Sequence, residues 1–376
     1  MNVFEKIIKK VLCIYYIKRY GFKHIRAVSW VNLIYNDWLK KNPNSDLPLK
    51  TKLWLTKNGF GFSRYKMQSL TKNNISLFLS DFDYWRIMPI DCRFYHWIND
   101  KLTIRYILSE FKEFLPEYYC NLDKNGNIIL LPDSPLKIVE DNYLIELVKI
   151  KKIIAMKPTA GAEGLGFIKF TYESGSFFIN DIKMEEDELI SFFKSLKNYL
   201  VTEYIIQCKE HAKVCSLSAC TLRINTIKEV GEYPFILHSF ARFGTKKSGA
   251  VSNLMSGGVS IGYDSDTGLY SDTFLSACGQ KIEFFKEHPD SHISLKGETL
   301  PNYRLIKEKI LEIHNYLSQI PYMGFDVIVT DNGFKICEIN SAPSVSYSQM
   351  MCYPIYTNKK AAAFFDKRLK GKRRNV

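Results

Sequence analysis

The sequence predicts an α+β chain with more than one sheet, and three features predict it. Helical patterning dominates residues 27–100, strands and helices then alternate, and from about residue 200 strand signals prevail, mostly in antiparallel order. Each element can be justified in turn. "MNVFEKIIKKVLCIYYIKRY" sets Phe4, Ile7, Ile8, Val11, Leu12 and Tyr15 on one helical face with lysines opposite. Two readings of this helix stand: it lies in an anionic membrane interface, or it packs on its own domain. Residues 27–100 read as helices broken by loops at "KNPNSDLP" and "MPID". Residues 99–111 read as a helix capped by Asn99 or Asp100 and finished before Pro116. "NIILLP" and "KKIIAMKP" are strands, and "EDELISFFKSLKNYL" is a helix. Strands follow at "YLVTEYIIQ", "CTLRINTIK", "PFILHSFARFG" and "GGVSIGYD". A helix at "YRLIKEKILEIHNYLSQI" precedes the last two strands, "GFDVIVT" and "FKICEIN", and the basic "KRLKGKRRNV" reads as a solvated, disordered end.

Composition narrows the function. With 376 residues and 46% apolar content the chain is an ordinary globular one, unusually aromatic at 14%. No apolar run approaches the roughly 20 residues a membrane span needs, and Lys9 and Lys10 interrupt anything resembling a secretory signal. Nine scattered cysteines without a C-x-x-C pair point to reduced thiols in a cytoplasmic setting rather than a zinc site or disulfide scaffold. The net charge of +13 is confined to the ends: residues 1–26 hold seven Lys/Arg against Glu5, and residues 359–376 hold eight against Asp366. The body between is neutral, which argues against a nucleic-acid partner and leaves an anionic membrane surface as a partner for the ends.

Two stretches carry chemistry. "KPTAGAEGLGFIKF" (157–170) is glycine-rich between two strands, yet it has neither the dinucleotide spacing nor a Gly-Lys-Ser/Thr P-loop. It suits a hinged lid whose amides meet phosphates while Lys157 supplies charge from a strand. The second is "MGFDVIVTDNGFKICEINSAPS". Glu338 and Asn340, two apart, share a strand face. A two-residue turn at Asn332-Gly333 would pair Asp326 with Ile339, whereas a three-residue turn, Asp331-Asn332-Gly333, would pair Asp326 with Glu338. In the latter register two carboxylates and an amide oxygen converge, a hard-oxygen set suited to Mg²⁺. Mutual repulsion of the two carboxylates leads to the expectation that Asp326→Asn and Glu338→Gln both leave the fold intact while abolishing turnover.

The order of these features resembles the ATP-grasp superfamily. Within it, "CTLRINTI", "FARFG", "NLMSGGVSIGYDSDTG" and "MGFDVIVTDNGFKICEIN" resemble the branch associated with sugar transfer in capsule and exopolysaccharide biosynthesis, over roughly residues 90–350. The resemblance implies an ATP-grasp fold, with two α+β subdomains gripping ATP between antiparallel sheets behind a helical N-terminal region. The divisions are 1–95 for that region, 96–205 with the lid, 206–356 with the metal site, and a basic tail at 357–376. It further implies that Lys101, Lys157 and the lid glycines Gly161, Gly164 and Gly166 meet ATP phosphates. Glu203, Tyr204 and Ile206 would hold adenine, and Glu210 or Gln207 the ribose. Asp326, Glu338 and Asn340 would hold one or two Mg²⁺ ions. Arg223 and Arg242 become the catalytic cations, and Asn253, Gly257 and Gly258 a substrate loop. His211 and His238 read as structural.

The implied activity is ATP-dependent C–N ligation through an acyl phosphate. It would join an amino acid or amino alcohol to the uronic-acid carboxylate of a surface polysaccharide, in the cytoplasm or at the inner membrane face. The alternatives are a kinase of a sugar or lipid head group, and a non-catalytic ATP-binding scaffold for polysaccharide assembly.

Overall fold

The computed structural model describes residues 3–39, 46–90, 93–159, 165–249, 252, 254–278, 282–370 and 373. Among these, the strands form two seven-stranded sheets, each antiparallel throughout. The first sheet holds β1 (Tyr118–Leu122), β2 (Ile128–Leu130), β3 (Ile153–Pro158), β4 (Ile168–Glu173), β5 (Ser176–Ile179), β6 (Ile182–Met184) and β7 (Tyr199–Glu203), in the order β2-β1-β7-β3-β4-β5-β6. Helix Tyr143–Lys151 buries Tyr143, Leu144, Leu147 and Val148, at the i, i+1, i+4, i+5 spacing of one helical face, against Ile154, Met156 and Phe170. Helix Glu186–Ser195 adds Leu189 and Phe193 to the same core and opens with a capping box between Glu185 and Glu188. The sequence reading ran this helix too far: at Tyr199 the chain becomes β7, whose place between β1 and β3 overrides local helical pattern.

The second sheet holds β8 (Thr221–Ile227), β9 (Phe235–Phe243), β10 (Val259–Tyr263), β11 (Tyr270–Ser276), β12 (Glu283–Phe285), β13 (Tyr322–Thr330) and β14 (Gly333–Asn340), in the order β12-β11-β10-β9-β8-β13-β14. One face packs on helix Tyr303–Tyr316 through Ile306, Ile310 and Ile313, all fully buried and spaced by four and three residues. The other face carries the polar residues described below. Helix Lys101–Ile107, capped by Asp100 (Oδ1 accepts from Thr103 N at 2.7 Å), is shorter than expected and gives way to a 3₁₀ stretch, Ser109–Phe114.

The N-terminal residues are helical as expected, with their own aromatic clusters around Trp30 and Phe82 and around Phe60 and Phe62. The first helix, Val3–Tyr20, differs from the expectation in which face it buries. Cys13, with Leu12, Tyr16, Ile17 and Tyr20, packs inward, while Ile7, Val11 and Tyr15 are exposed. Aromatic volume at Tyr16 and Tyr20 fills the gap beside Trp30 and Phe82, which aliphatic periodicity alone does not reveal. The stretch read as a disordered end begins inside a helix, Lys359–Leu369, which buries Ala361, Phe364, Phe365 and Leu369 and pairs Lys367 and Arg368 with Glu229, while 371, 372 and 374–376 lie outside the described residues.

The N-terminal region is fastened to the segment that follows β14. Gln349, in helix Val345–Met351, accepts from Leu79 N (2.8 Å) and Ile355 N (3.2 Å) and donates to Leu79 O (3.1 Å). Tyr84 donates to Ala342 O (2.7 Å) and Pro343 O (3.2 Å). Replacing Gln349 with Ala strands three buried backbone groups, each worth about 1–3 kcal/mol. The expected outcome is a marked fall in the urea midpoint, followed by circular dichroism, together with new proteolytic cleavage around residues 70–100.

Candidate functional site

The site is set by the register of the β13–β14 hairpin. A two-residue turn, Asp331-Asn332, puts Thr330 opposite Gly333 and Val327 opposite Ile336. Cys337 then has no partner, and beyond this bulge Asp326 lies opposite Glu338 and Gly324 opposite Asn340. Neither turn weighed from the sequence forms. The pairing of Asp326 with Glu338 is reached by the bulge instead. The turn is tucked against the segment after β7, where Cys208 N donates to Val329 O (2.7 Å) and Lys209 N to Asp331 Oδ1 (2.9 Å). A signal for the bulge was present: the buried positions of "FKICEIN" run Phe334, Ile336, then Ile339, a slip from even to odd numbering that an unbroken strand cannot make.

Asp326, itself buried, is the hub of this polar face. Its neighbour across β8 is Arg223, whose Nε and Nη2 reach Oδ1 and Oδ2 at 2.6 and 3.1 Å. Arg242, from β9, adds a second cation at 2.9 Å from Oδ1. Burial raises the Asp326 pKa, and the two guanidiniums more than offset this, holding the carboxyl below its ordinary range. Glu338 behaves in the opposite way: burial, then the Asp326 charge, push its pKa up, with Lys101, Arg223 and Lys157 as partial compensation. Its ion pair with Lys101 spans 3.9 Å. Lys157, on β3, is depressed chiefly by burial and lies within electrostatic reach of Lys101, Cys337 and Glu338. The site thus sets four cations (Lys101, Lys157, Arg223, Arg242) against two carboxylates, a surplus suited to a polyanion.

Two glycines shape the surroundings. A Cβ on Gly324 would meet Pro343 Cβ at 2.5 Å and Asn225 Oδ1 at 2.9 Å, so glycine is what lets the segment after β14 cross back over the sheet. Gly166, at φ +74°, has Tyr199 OH 2.9 Å and Pro158 Cγ 3.0 Å from where its Cβ would stand, so the returning arm of the glycine loop lies tight on β3 and β7. Gly161 and Gly164 lie outside the described residues, as does Asn253.

At the end of β7, Glu203 Oε2 accepts from Glu117 N (3.1 Å) and lies 3.8 Å from Lys335 Nζ. The Tyr204 ring is 6.4 Å from Phe167, Ile206 is 70% exposed, and Glu210 is exposed at the start of helix Lys209–Val214. Gln207 is committed elsewhere: it donates to Cys215 O and accepts from Cys220 N, each at 2.7 Å. That commitment leaves Glu210 as the polar candidate of the two for a ribose. Gly257, at φ +106°, gives its carbonyl to Thr245 Oγ1 (2.9 Å), and Gly258 follows it, buried, into β10.

The match to known proteins decides the family. Residues 89–359 match the family described as sugar-transfer associated ATP-grasp. The chain belongs to that family. Similar solved structures align with the chain at low identity. The D-alanine–D-alanine ligase of Bacillus anthracis is 16% identical with a TM-score of 0.37, over 73% of this chain and 65% of that one. An L-amino acid ligase of Bacillus licheniformis is 11% identical with a TM-score of 0.38, over 73% and 48%. Biotin carboxylase of Campylobacter jejuni is 11% identical with a TM-score of 0.40, over 83% and 53%. The chain thus spans between about half and two thirds of the length of these structures. No curated protein matches.

ATP-grasp enzymes use ATP with Mg²⁺, and the donors here can be tested for that ion. Among the described residues no cluster of three or more His, Cys, Asp or Glu converges, so the donor set rests on two carboxylates and the Asn340 amide. Glu338, under-compensated and beside Asn340 on one face, fits a hard divalent cation. Asp326, opposite, has both oxygens engaged by arginine.

Two polar residues near this face, Ser260 and Asn225, were not singled out by sequence reasoning, whereas His211 and His238 were read as structural and are buried. Ser260 lies opposite Arg242 in the β9–β10 register, and both Ser260 Oγ and Arg242 Nε are buried without a hydrogen-bond partner. Asn225 Oδ1 and His238 Nδ1, an adjacent cross-strand pair, are also unpartnered. His238 gives its other nitrogen to Tyr353 O (2.9 Å), and burial pushes its pKa down to about 4. His211 meets Tyr270 OH at 2.8 Å in the core. Only the sheet register exposes these neighbours: β8, β9 and β10 are consecutive in the chain, but the β8–β9 pairing shifts register between Asn225 and Thr226.

The two carboxylates now separate in their expected stability effects. Asp326→Asn removes the counter-charge of two buried arginines and should destabilise by about 3–5 kcal/mol, contrary to the expectation of an intact fold. Glu338 has a raised folded pKa, so its ionised form costs stability as pH climbs above the ordinary carboxylate value. Glu338→Gln should therefore raise the melting temperature at neutral pH and lose that gain at acid pH, where the wild-type carboxyl is protonated. Scanning calorimetry of both variants across pH checks this; equal and opposite signs from those given would refute the charge assignment.

Proposed function

We propose that the protein is an ATP- and Mg²⁺-dependent carboxylate–amine ligase of surface polysaccharide biosynthesis. It would join an amino acid or amino alcohol to a uronic-acid carboxylate. The observation that carries the reading is the surplus of four cations over two carboxylates around the Asp326–Glu338 pair. The thiol facing this pair is no competing nucleophile: burial pushes the Cys337 pKa up to about 12, so it stays protonated. Such a wall favours an anionic nucleophile and an anionic leaving group, both brought by substrates.

In the proposed mechanism a substrate carboxylate oxygen attacks the γ-phosphorus of ATP, the bond to the β,γ-bridging oxygen breaks, and ADP leaves. The acyl phosphate is then attacked at its carbonyl carbon by an amine, which loses a proton as phosphate departs. Lys101 and Lys157 would hold phosphate oxygens, and Arg223 and Arg242 would stabilise charge on the transferring phosphoryl group. Gly166 and the rest of the lid would close over the nucleotide. Glu203, Tyr204, Ile206 and Glu210 would line the adenosine side. Glu338 and Asn340 would hold Mg²⁺ opposite Asp326, and the ion, when bound, supplies neutralisation of phosphate charge.

The acceptor side is assigned to β9 and β10. Arg242 Nε and Ser260 Oγ, buried and unpartnered, supply a donor pair for the acid's carboxylate, with Gly257 and Gly258 leading into the same strand. The printed description of the family, sugar-transfer associated, supports a sugar acid over a free amino acid as the carboxylate partner. No described helix is long and apolar enough to cross a membrane, and a lipid-linked glycan would place the enzyme at the inner face of the cytoplasmic membrane.

The test is ADP release with ATP, Mg²⁺ and glucuronic or galacturonic acid, free or nucleotide-linked, with and without amines. Hydroxylamine in place of the amine should trap a hydroxamate, and Arg242→Met should reduce both signals at least about a hundredfold. ADP formed with a sugar but no hydroxamate would identify a kinase and overturn the ligase reading.

A further inference from the structure

Helix Val3–Tyr20 is held by one side and bare on the other. On the inner side Tyr16 meets Phe22, Trp30 and Phe82 edge-on at 5.8, 6.2 and 6.1 Å, and Cys13 is buried beside it. Lys9 covers the Tyr35 ring at 4.3 Å and pairs with Glu5 at 3.0 Å. This side accounts for the helix's only acidic residue.

The outer side presents Ile7, Val11, Ile14 and Tyr15, which are 55%, 60%, 45% and 50% exposed. At about 100° per residue these four fall within one arc about 100° wide. Lys6 and Lys10 line one edge of the arc, Arg19 lines the other, and Lys18 closes its C-terminal end, all exposed. Large apolar side chains on a water-facing surface are ordinarily scattered singly. Here they are contiguous, rimmed by cations and free of carboxylate.

We propose that this face is a docking surface for an anionic lipid bilayer. The apolar strip would sit at the boundary between headgroups and acyl chains, and the rim lysines and arginine would meet lipid phosphates. Charge decides the occupant. Residues 1–26 carry seven Lys/Arg against one Glu, so a second copy docking through the same face would set cation against cation, whereas an anionic surface complements them. The sequence posed packing and membrane contact as alternatives for this helix, and its two sides can serve one each. Gln349 and Tyr84 tie the N-terminal region to the segment after β14, so a docked helix would hold the site at a fixed relation to the lipid surface. This inference stands apart from the ligase reading, because it concerns no residue of the site.

The experiment is co-sedimentation of the full chain with phosphatidylcholine vesicles, with and without phosphatidylglycerol. The triple variant Ile7→Gln, Val11→Gln, Ile14→Gln and the double variant Lys6→Gln, Lys10→Gln are compared with wild type. Wild type should bind the anionic vesicles and not the neutral ones, and the triple variant should bind at least about tenfold more weakly with an unchanged melting temperature. The double variant should lose selectivity for phosphatidylglycerol, and it carries the test should the triple variant fold poorly. Failure of wild type to bind, or equal binding by both variants, overturns the proposal. So does sedimentation velocity showing a wild-type dimer that the triple variant abolishes in the absence of any vesicle binding, since the face is then a contact between copies.

Discussion

The single extra residue at Cys337 is the constraint on which the rest of the site depends. In an unbroken ladder every residue of β14 has a fixed side, and the register set by the Asp331-Asn332 turn would put Cys337 opposite Asp326 and send Glu338 into the core face. The bulge reverses the side of everything after it. Ile339 is thereby buried in the main core, and Glu338 and Asn340 join Asp326 on the polar face. One irregularity therefore satisfies the core and the site together.

The electrostatics follow from that placement. A carboxylate pair across two strands is repulsive, and the structure resolves the repulsion unequally. Asp326 receives both arginines and is held ionised, while Glu338 is left with a distant lysine and a raised pKa. The first carboxylate has a structural part, since it neutralises Arg223 and Arg242 on adjacent strands. The second is the poorly satisfied group, and a poorly satisfied buried carboxylate is where a divalent cation or a cationic ligand gains most. The unpartnered atoms of Arg242 and Ser260 extend the same unsatisfied surface towards β10.

Much of this was legible in the sequence. The two strands around "TDNG" and Lys157 beside its glycine loop were readable because alternation and charge mark them locally, whereas Lys101 and Arg223 were reached only through the family resemblance. The register was not, since turn propensity offered two loops and the chain used a third. The slip in buried parity from Ile336 to Ile339 was the available clue. The pairing of Asp326 with two arginines was illegible in principle, because it depends on the order β9-β8-β13-β14, which no local pattern encodes. The first helix shows the complementary limit: both of its sides are apolar, and periodicity cannot say which one the protein covers.

The most direct test of the account is calorimetric titration of Mg²⁺ and ADP into wild type, Cys337→Ala and Glu338→Gln. The first substitution keeps the bulge and should bind as wild type does. Glu338→Gln removes the carboxylate that the bulge brings opposite Asp326, and should weaken the Mg²⁺-dependent part of binding at least about tenfold. A folded Glu338→Gln variant that binds with wild-type affinity and metal dependence would contradict the claim that the carboxylate placed by the bulge builds the site.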